Sequence, residues 1–207
     1  MKFGLMRADR KGEHYKLALI AVRQIRKAQL AIKADAERAH EILLVPTLAA
    51  SSKLKPHIIN QIDLEPDERI SKVTAFSFYH GPDITIDSDG TAIEVKLIKT
   101  GGDLRACIGQ ALIYRFGYRF AIMVLVDRTK ERTVVESLRL RDSKEAKMLR
   151  ELSDELNIFT VIGPVGPNKK NLVFFPKSSH SRTNSELSSP LTALMPEAQN
   201  FPPLPGG

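Results

Sequence analysis

The sequence predicts a mixed α/β domain, and three observations carry that prediction. Long stretches of good helix formers without Gly or Pro alternate with short runs rich in Val, Ile, Phe and Thr. The run "RFAIMVLV" (119 to 126) is apolar throughout, as a strand buried on both faces is. Between helix-like segments lies "HGPDITIDSDGTAIEVKLIK" (80 to 99), two alternating arms around an Asp-Gly dipeptide, which reads as a hairpin. With 207 residues, 43% of them hydrophobic, the chain can bury one full core and has little left over for a second.

From the start, "HYKLALIAVRQIRKAQLAIKADAERAHEILL" (14 to 44) meets no Gly or Pro before Pro46 and is expected as one helix. At 100° per residue, Leu17, Ala18, Ala21, Ile25, Ala28 and Ile32 fall on one face, while Lys16, Arg23, Arg26, Lys27 and Lys33 fall on the opposite one. Residues 45–70, broken by Pro46, Pro56 and Pro66, predict no clear element. "KVTAFSFYH" (72 to 80) reads as a strand, and the hairpin follows it. Gly101 and Gly102 stop the third strand, and Asp103 is placed to N-cap a helix to about Phe116. After strand 119–126 come an amphipathic helix over 143–157 and the strands "IFTVIG" and "LVFFP". The loop between those strands, "GPVGPNKKN", has two prolines and no following helix, which argues against a phosphate loop. Residues 1–177 are expected as a single domain. Residues 178–207, rich in Ser, Pro and Asn and ending "NFPPLPGG", are expected as a flexible tail. Phe201 and its prolines would suit a short docking motif for a protein partner, against the simpler reading of a solvated tail.

Composition excludes several classes. A single Cys107 rules out a disulfide framework, and no Cys/His spacing suits zinc. The five histidines have no ligand spacing, and no Ser or Cys nucleophile motif is present. No apolar run is long enough to span a bilayer, and the start lacks a signal-peptide core, so a soluble, cytoplasmic protein is expected. The net charge is +7 and is concentrated: residues 1–33 carry nine Lys/Arg against Asp9 and Glu13, and the remainder is neutral. One basic end on a neutral body fits a polyanionic partner, with a solvated helix face as the bland alternative. A membrane surface is disfavoured, because the apolar face of the first helix is largely Ala and has no aromatic anchor.

The hairpin spends charge where a half-buried strand has no need of it. Side chains alternate along a strand, so Asp83, Thr85 and Asp87 share one side, as do Glu94 and Lys96. A two-residue loop at Asp89-Gly90 would pair Asp83 with Lys96 and Thr85 with Glu94, and all four would project from one face. A three-residue loop would put the acids on opposite faces. Ile84, Ile86, Ile93, Val95 and Leu97 form an apolar layer behind, leaving the polar face open. Asp83 and Glu94 can together hold a hard divalent cation, with the Val95 carbonyl as a third ligand. Lys96 can then orient water or offset charge on a phosphate. The plain alternative is a cross-strand ion pair worth less than about 1 kcal/mol.

"GPDITI" followed by "AIEVKL" resembles the PD-(D/E)XK, or restriction-endonuclease-like, nuclease superfamily over roughly residues 13–126. The resemblance implies an αβββαβ core with a mixed central sheet flanked by helices, here with an extra helix and two strands. It implies metal ligands at Asp83 and Glu94 and an active-site lysine at Lys96. "DLRACIGQALIYRF" is similar to the Gln-x-x-x-Tyr helix of the RecB-like and phage-exonuclease branches, which implies roles at the site for Gln110 and at the nucleic acid for Tyr114. Many members carry a further acid on the first helix; Glu13, Glu37 and Glu41 compete for that place, and none is singled out.

The resulting expectation is a Mg²⁺- or Mn²⁺-dependent deoxyribonuclease that cuts phosphodiester bonds, endonucleolytic in the first instance, in restriction, repair or recombination. Lys16, Arg23, Arg26, Lys27 and Lys33 would supply sequence-independent affinity for DNA. A homodimer would provide the two sites that a double-strand cut needs. The alternatives are a non-catalytic nucleic-acid-binding or assembly module on the same fold, and a ribonuclease.

Overall fold

The computed structural model describes residues 4–30, 36–60, 72–140, 142–166 and 169–176. Lys33, Ile32 and the 178–207 tail lie outside the described residues. The expected first helix is two helices, α1 (Glu13–Ile25) and α2 (Glu37–Ala49). The break has a long-range cause. Asn171 donates through Nδ2 to the carbonyls of Ile25 (3.1 Å) and Ala28 (3.0 Å), and through its backbone N–H to Arg26 (3.0 Å). The carbonyls at the end of α1 are thereby taken by a distant loop. Pro46, expected as a breaker, sits inside α2. The bond it cannot make would reach the Ile42 carbonyl, in the middle of α2 on its exposed side, where solvent can replace the missing donor.

The strand expected at "KVTAFSFYH" is also corrected. It is a small separate hairpin of β2 (Val73–Ala75) and β3 (Phe78–His80) that turns at Phe76-Ser77. The first strand of the main sheet comes instead from the Pro-interrupted segment, as β1 (Ile58–Asn60). Then follow β4 (Ile84–Ile86), β5 (Thr91–Ile98), α3 (Gly101–Tyr114), β6 (Phe120–Asp127), α4 (Thr133–Arg139), α5 (Lys144–Leu156), β7 (Ile158–Gly163) and β8 (Leu172–Phe174). The six-stranded sheet has the order β1-β4-β5-β6-β7-β8. In it β4 runs antiparallel to both of its neighbours, β1 and β5, while β5, β6 and β7 run parallel, and β8 returns antiparallel on β7. The glycines expected to stop the third strand are the first residues of α3, and the N-cap is Thr100 rather than Asp103. Asp103 completes a capping box by accepting from the Thr100 backbone N–H at 2.7 Å.

Helices cover both faces. Leu17, Ala18, Ala21 and Ile25 of α1 and Leu44 and Leu48 of α2 pack on Ile84, Ile86, Ile93, Val95, Leu97, Ile122 and Val124. On the other face, Cys107 and Ala111 of α3, Val135 and Leu138 of α4, and Ala146 and Leu149 of α5 pack on Ile98, Ala121, Met123, Leu125 and Ile158. β6 is buried along its whole length, as its apolar run requires. Buried Arg10 clips the leading segment down by bonding Asn157 Oδ1 (2.7 Å) and the Ser153 carbonyl (2.9 Å). Among the described residues no helix is long and apolar enough to cross a membrane.

Candidate active site

β4 and β5 pair over only three positions, Ile84↔Ile93, Thr85↔Ala92 and Ile86↔Thr91. The loop is therefore the four residues 87–90, not the expected Asp89-Gly90 pair. The register differs by two residues from the expected one, which set Asp83 against Lys96; Asp83 lies just beyond the last paired position, and its backbone N–H donates to the Ile93 carbonyl (3.1 Å). An even shift preserves the faces, and Asp83, Glu94 and Lys96 share a side as the alternation requires. The loop is pinned from elsewhere. Asp87 adopts φ 60°, its backbone N–H donates to the His57 carbonyl (2.8 Å), and its carboxylate meets His57 Nδ1 (2.7 Å) and His14 Nδ1 (3.2 Å). Gly90 is required by close approach: a Cβ there would stand 2.5 Å from the Ile86 carbonyl oxygen and 2.8 Å from His14 Nδ1.

Beyond Ile93, β5 continues without β4, so its outer edge from Glu94 onward has lost its strand partner. Side chains replace that partner. The Val95 N–H donates to Asp83 Oδ2 (2.7 Å), and the Leu97 N–H donates to Glu37 Oε1 (3.3 Å). Residues 93, 95 and 97 direct both their backbone groups to this edge, so the Val95 carbonyl leaves the strand on the Asp83 side. Lys96 Nζ reaches round to both Glu37 oxygens, at 3.1 and 3.2 Å. Glu94, 5% exposed, accepts from the Tyr114 hydroxyl (2.7 Å), which also lies 3.0 Å from the Gly81 carbonyl oxygen. The polar face expected to be open is thus covered by α3 at Glu94.

Packing these acids together has an electrostatic consequence. Burial pushes the Asp83 carboxyl up to about 7; the charges of Glu41 and Glu37 add to the rise, against the Val95 N–H and Lys96. Glu94 rises to about 8, through burial first and the Asp83 charge second, against the Tyr114 hydrogen bond and Lys96. Burial works against the Lys96 ammonium, but the bond and charge of Glu37 more than offset it, so its pKa is raised and it stays protonated. The buried Cys107 thiol is pushed up by burial and by Glu94, which makes it a packing group with no nucleophilic character.

Among the described residues, no three His, Cys, Asp or Glu side chains are grouped to hold a metal ion. The donor set is instead two facing carboxylates and a backbone carbonyl. That set suits Mg²⁺, which keeps several waters and is bound by one or two carboxylates plus substrate phosphate oxygens. Zinc or calcium would call for more protein ligands.

Of the three competing first-helix acids, Glu37 and Glu41 stand at the site and Glu13 does not. Glu13 is exposed at the start of α1, 3.6 Å from Lys16. Glu41 is buried, within 3.4 Å of Arg38, and faces Asp83 closely enough to raise its pKa. The i,i+4 spacing of Glu37 and Glu41 puts both on one helix face, and this was the signal that could have singled them out. Gln110 lies one turn before Tyr114, and its amide oxygen is buried without a hydrogen-bond partner among the described residues. Tyr114 is a correction: at 1% exposure it presents no surface to nucleic acid, and its hydroxyl is engaged by Glu94. Lys16 and Arg23 are exposed on α1, whereas Arg26 and Lys27 are exposed just past its end, in the turn where the expected helix has stopped. No protein-family model matches the chain, and no curated protein or solved structure matches it either.

Proposed function

We propose that the chain is a divalent-metal-dependent phosphodiesterase acting on DNA, in line with its resemblance to the PD-(D/E)XK nucleases. The observation that carries this reading is the facing pair Asp83 and Glu94. They are buried, raised to about 7 and 8 by burial and by neighbouring carboxylates, and flanked by a lysine. Such a pair is costly for a fold to keep as a structural feature. In this reading Asp83, Glu94 and the Val95 carbonyl hold the cation. When bound, it polarises the scissile phosphoryl group and acidifies water.

The protein's own groups do the rest. Tyr114 fixes the Glu94 carboxylate from behind, and the Val95 N–H fixes that of Asp83. Glu37 holds Lys96 beside the acids as a charged donor, aimed to orient water or to stabilise negative charge developing on phosphate oxygen. Gln110 retains a buried acceptor for water or a substrate group. Lys16, Arg23, Arg26 and Lys27 supply backbone affinity without sequence readout, with Lys33 a further candidate.

The lack of a third grouped ligand among the described residues favours a second reading, a nucleic-acid-binding module that keeps the fold and not the chemistry. Nicking of supercoiled plasmid with Mg²⁺ and with chelator separates the two, and linear DNA and RNA substrates run alongside give the substrate class. Mg²⁺-dependent nicking that fails in both Asp83→Asn and Glu94→Gln supports the enzyme. Tight DNA binding with no cutting in Mg²⁺ or Mn²⁺ supports the module.

A further inference from the structure

The β2–β3 hairpin has no part in the chemistry above, yet it carries the most exposed aromatic side chains among the described residues: Phe76 (82%), Tyr79 (77%) and Phe78 (69%). Its base is anchored. Val73 is buried with Ala92, Tyr114 and Tyr118, and lies so close to Gly117 that a Cβ there would stand 2.6 Å from Val73 Cγ2. Its far strand runs directly into the site, because β3 ends at His80 and Gly81 shares the Tyr114 hydroxyl with Glu94.

We propose that this hairpin is a stacking finger for unpaired DNA bases, and that the enzyme's substrate is DNA with a single-stranded portion next to the cut, such as a fork or flap. The inference rests on the phosphodiesterase reading for the cut and on the hairpin alone for the binding. The register pairs Ala75 with Phe78 and Thr74 with Tyr79, so Phe78 and Tyr79 leave opposite faces while Phe76 occupies the tip. Rings on two faces and a tip form a finger that bases can flank, whereas a docked protein would need one continuous apolar face. The hairpin itself, from Lys72 to Pro82, contains no acidic residue to repel a polyanion, although acids lie on either side of it in the sequence.

Backbone strain points the same way. Phe76 (φ 52°) and Ser77 (φ 66°) form a turn of two left-handed residues, a place ordinarily filled by Asn-Gly. A bulky aromatic held there costs free energy, and such strain gathers at binding and catalytic segments. Tyr79 is four residues from Asp83, at most about 14 Å of extended chain.

The test is affinity by fluorescence anisotropy in Ca²⁺ for three DNAs of shared sequence: single strand, fork and blunt duplex. The proteins are the wild-type chain, Phe78→Leu/Tyr79→Leu, which keeps apolar bulk without a stacking face, and Phe78→Tyr/Tyr79→Phe, which keeps the rings. The Leu pair should lose about 10-fold or more on fork and single strand and less than about 2-fold on the blunt duplex, while the ring-conserving pair stays near wild type. Binding is read without turnover, so this result stands even if Mg²⁺ yields no cutting, in which case only the nuclease reading falls. Equal affinities for all three proteins on the fork would overturn the finger. So would a wild-type chain that binds none of the DNAs, or a Leu pair that alters self-association in sedimentation and leaves DNA affinity unchanged.

Discussion

The two ends of the β4–β5 hairpin are made of similar sequence and have opposite electrostatics. At the turn, Asp87 meets His57 and His14, and Asp89 meets Arg119 Nη2 at 2.8 Å. Each of these carboxylates has a basic partner and is partly solvated, and together they pin the loop to α1 and to the entry of β1. At the split end, Asp83 and Glu94 are crowded by Glu37 and Glu41, and the one ammonium nearby is already bonded to Glu37. A carboxylate matched by a cation completes a structure. Two neighbouring carboxylates raised by burial are, in the proposed reading, the place for a cation from outside. The contrast separates scaffold from chemistry within one twenty-residue stretch, and it can be broken or sharpened from either end.

The largest effect is expected at the split end. Asp83→Asn or Glu94→Gln should lower the Mg²⁺-dependent cleavage rate by several orders of magnitude, with DNA affinity in Ca²⁺ kept or raised as negative charge leaves the phosphate path. Single-turnover plasmid assays beside an anisotropy titration check both halves. Lys96→Ala should follow, with kcat down about 10²–10³-fold and metal affinity retained. Lys96→Arg should rescue little, because a planar fork cannot replace a compact ammonium against Glu37.

Next in size is stability. Both acids are raised in the folded chain, so between the ordinary carboxylate range near pH 4 and about pH 7 to 8 the folded state binds more protons than the unfolded one. Stability without divalent cation should therefore fall as pH rises through that window, and it should be fully present below it. Glu94→Gln should remove about half of the slope, the Asp83 share remaining, and raise stability at pH 8 by about 1–3 kcal/mol, read by denaturant unfolding in chelator at pH 5 and pH 8. In the wild-type chain Mg²⁺ should restore stability at pH 8 more than at pH 5, because it competes with those protons.

The smallest effect belongs to the turn. Asp87→Asn keeps a residue that tolerates the left-handed backbone and removes the charge facing two imidazoles. It should cost under about 1 kcal/mol and leave cleavage at the wild-type rate. A loss of cleavage without loss of stability would show that the turn end takes part in the chemistry and would erase the contrast.

What could be read from the sequence was whatever depends on local periodicity. The alternation of Ile84, Ile86, Ile93, Val95 and Leu97 placed Asp83, Glu94 and Lys96 on the far side correctly even though the register was shifted, because a shift of two residues leaves faces unchanged. β6 and α5 followed from an unbroken apolar run and a clear amphipathic period. What could not be read depends on distant partners. The four-residue loop is selected by His14 and His57, the end of α1 by Asn171, and the break at Phe76-Ser77 occurs in a turn with neither Gly nor Asn to announce it. Glu37 was visible as a candidate, but its bonds to Lys96 and to the Leu97 N–H exist only because β4 leaves β5 early and α2 fills the gap.

The most direct measurement is Mg²⁺ or Mn²⁺ calorimetry at pH 7.5 in two buffers of different ionisation heat, on the wild-type chain, Asp83→Asn and Glu94→Gln. With one acid near 7 and the other near 8, cation binding to wild type should release about one proton, and both the heat and the proton release should vanish in either variant. Folded protein that takes up no cation, or takes it up with no proton release and equally well in Asp83→Asn and Glu94→Gln, would contradict a shared metal site at the split end of the hairpin.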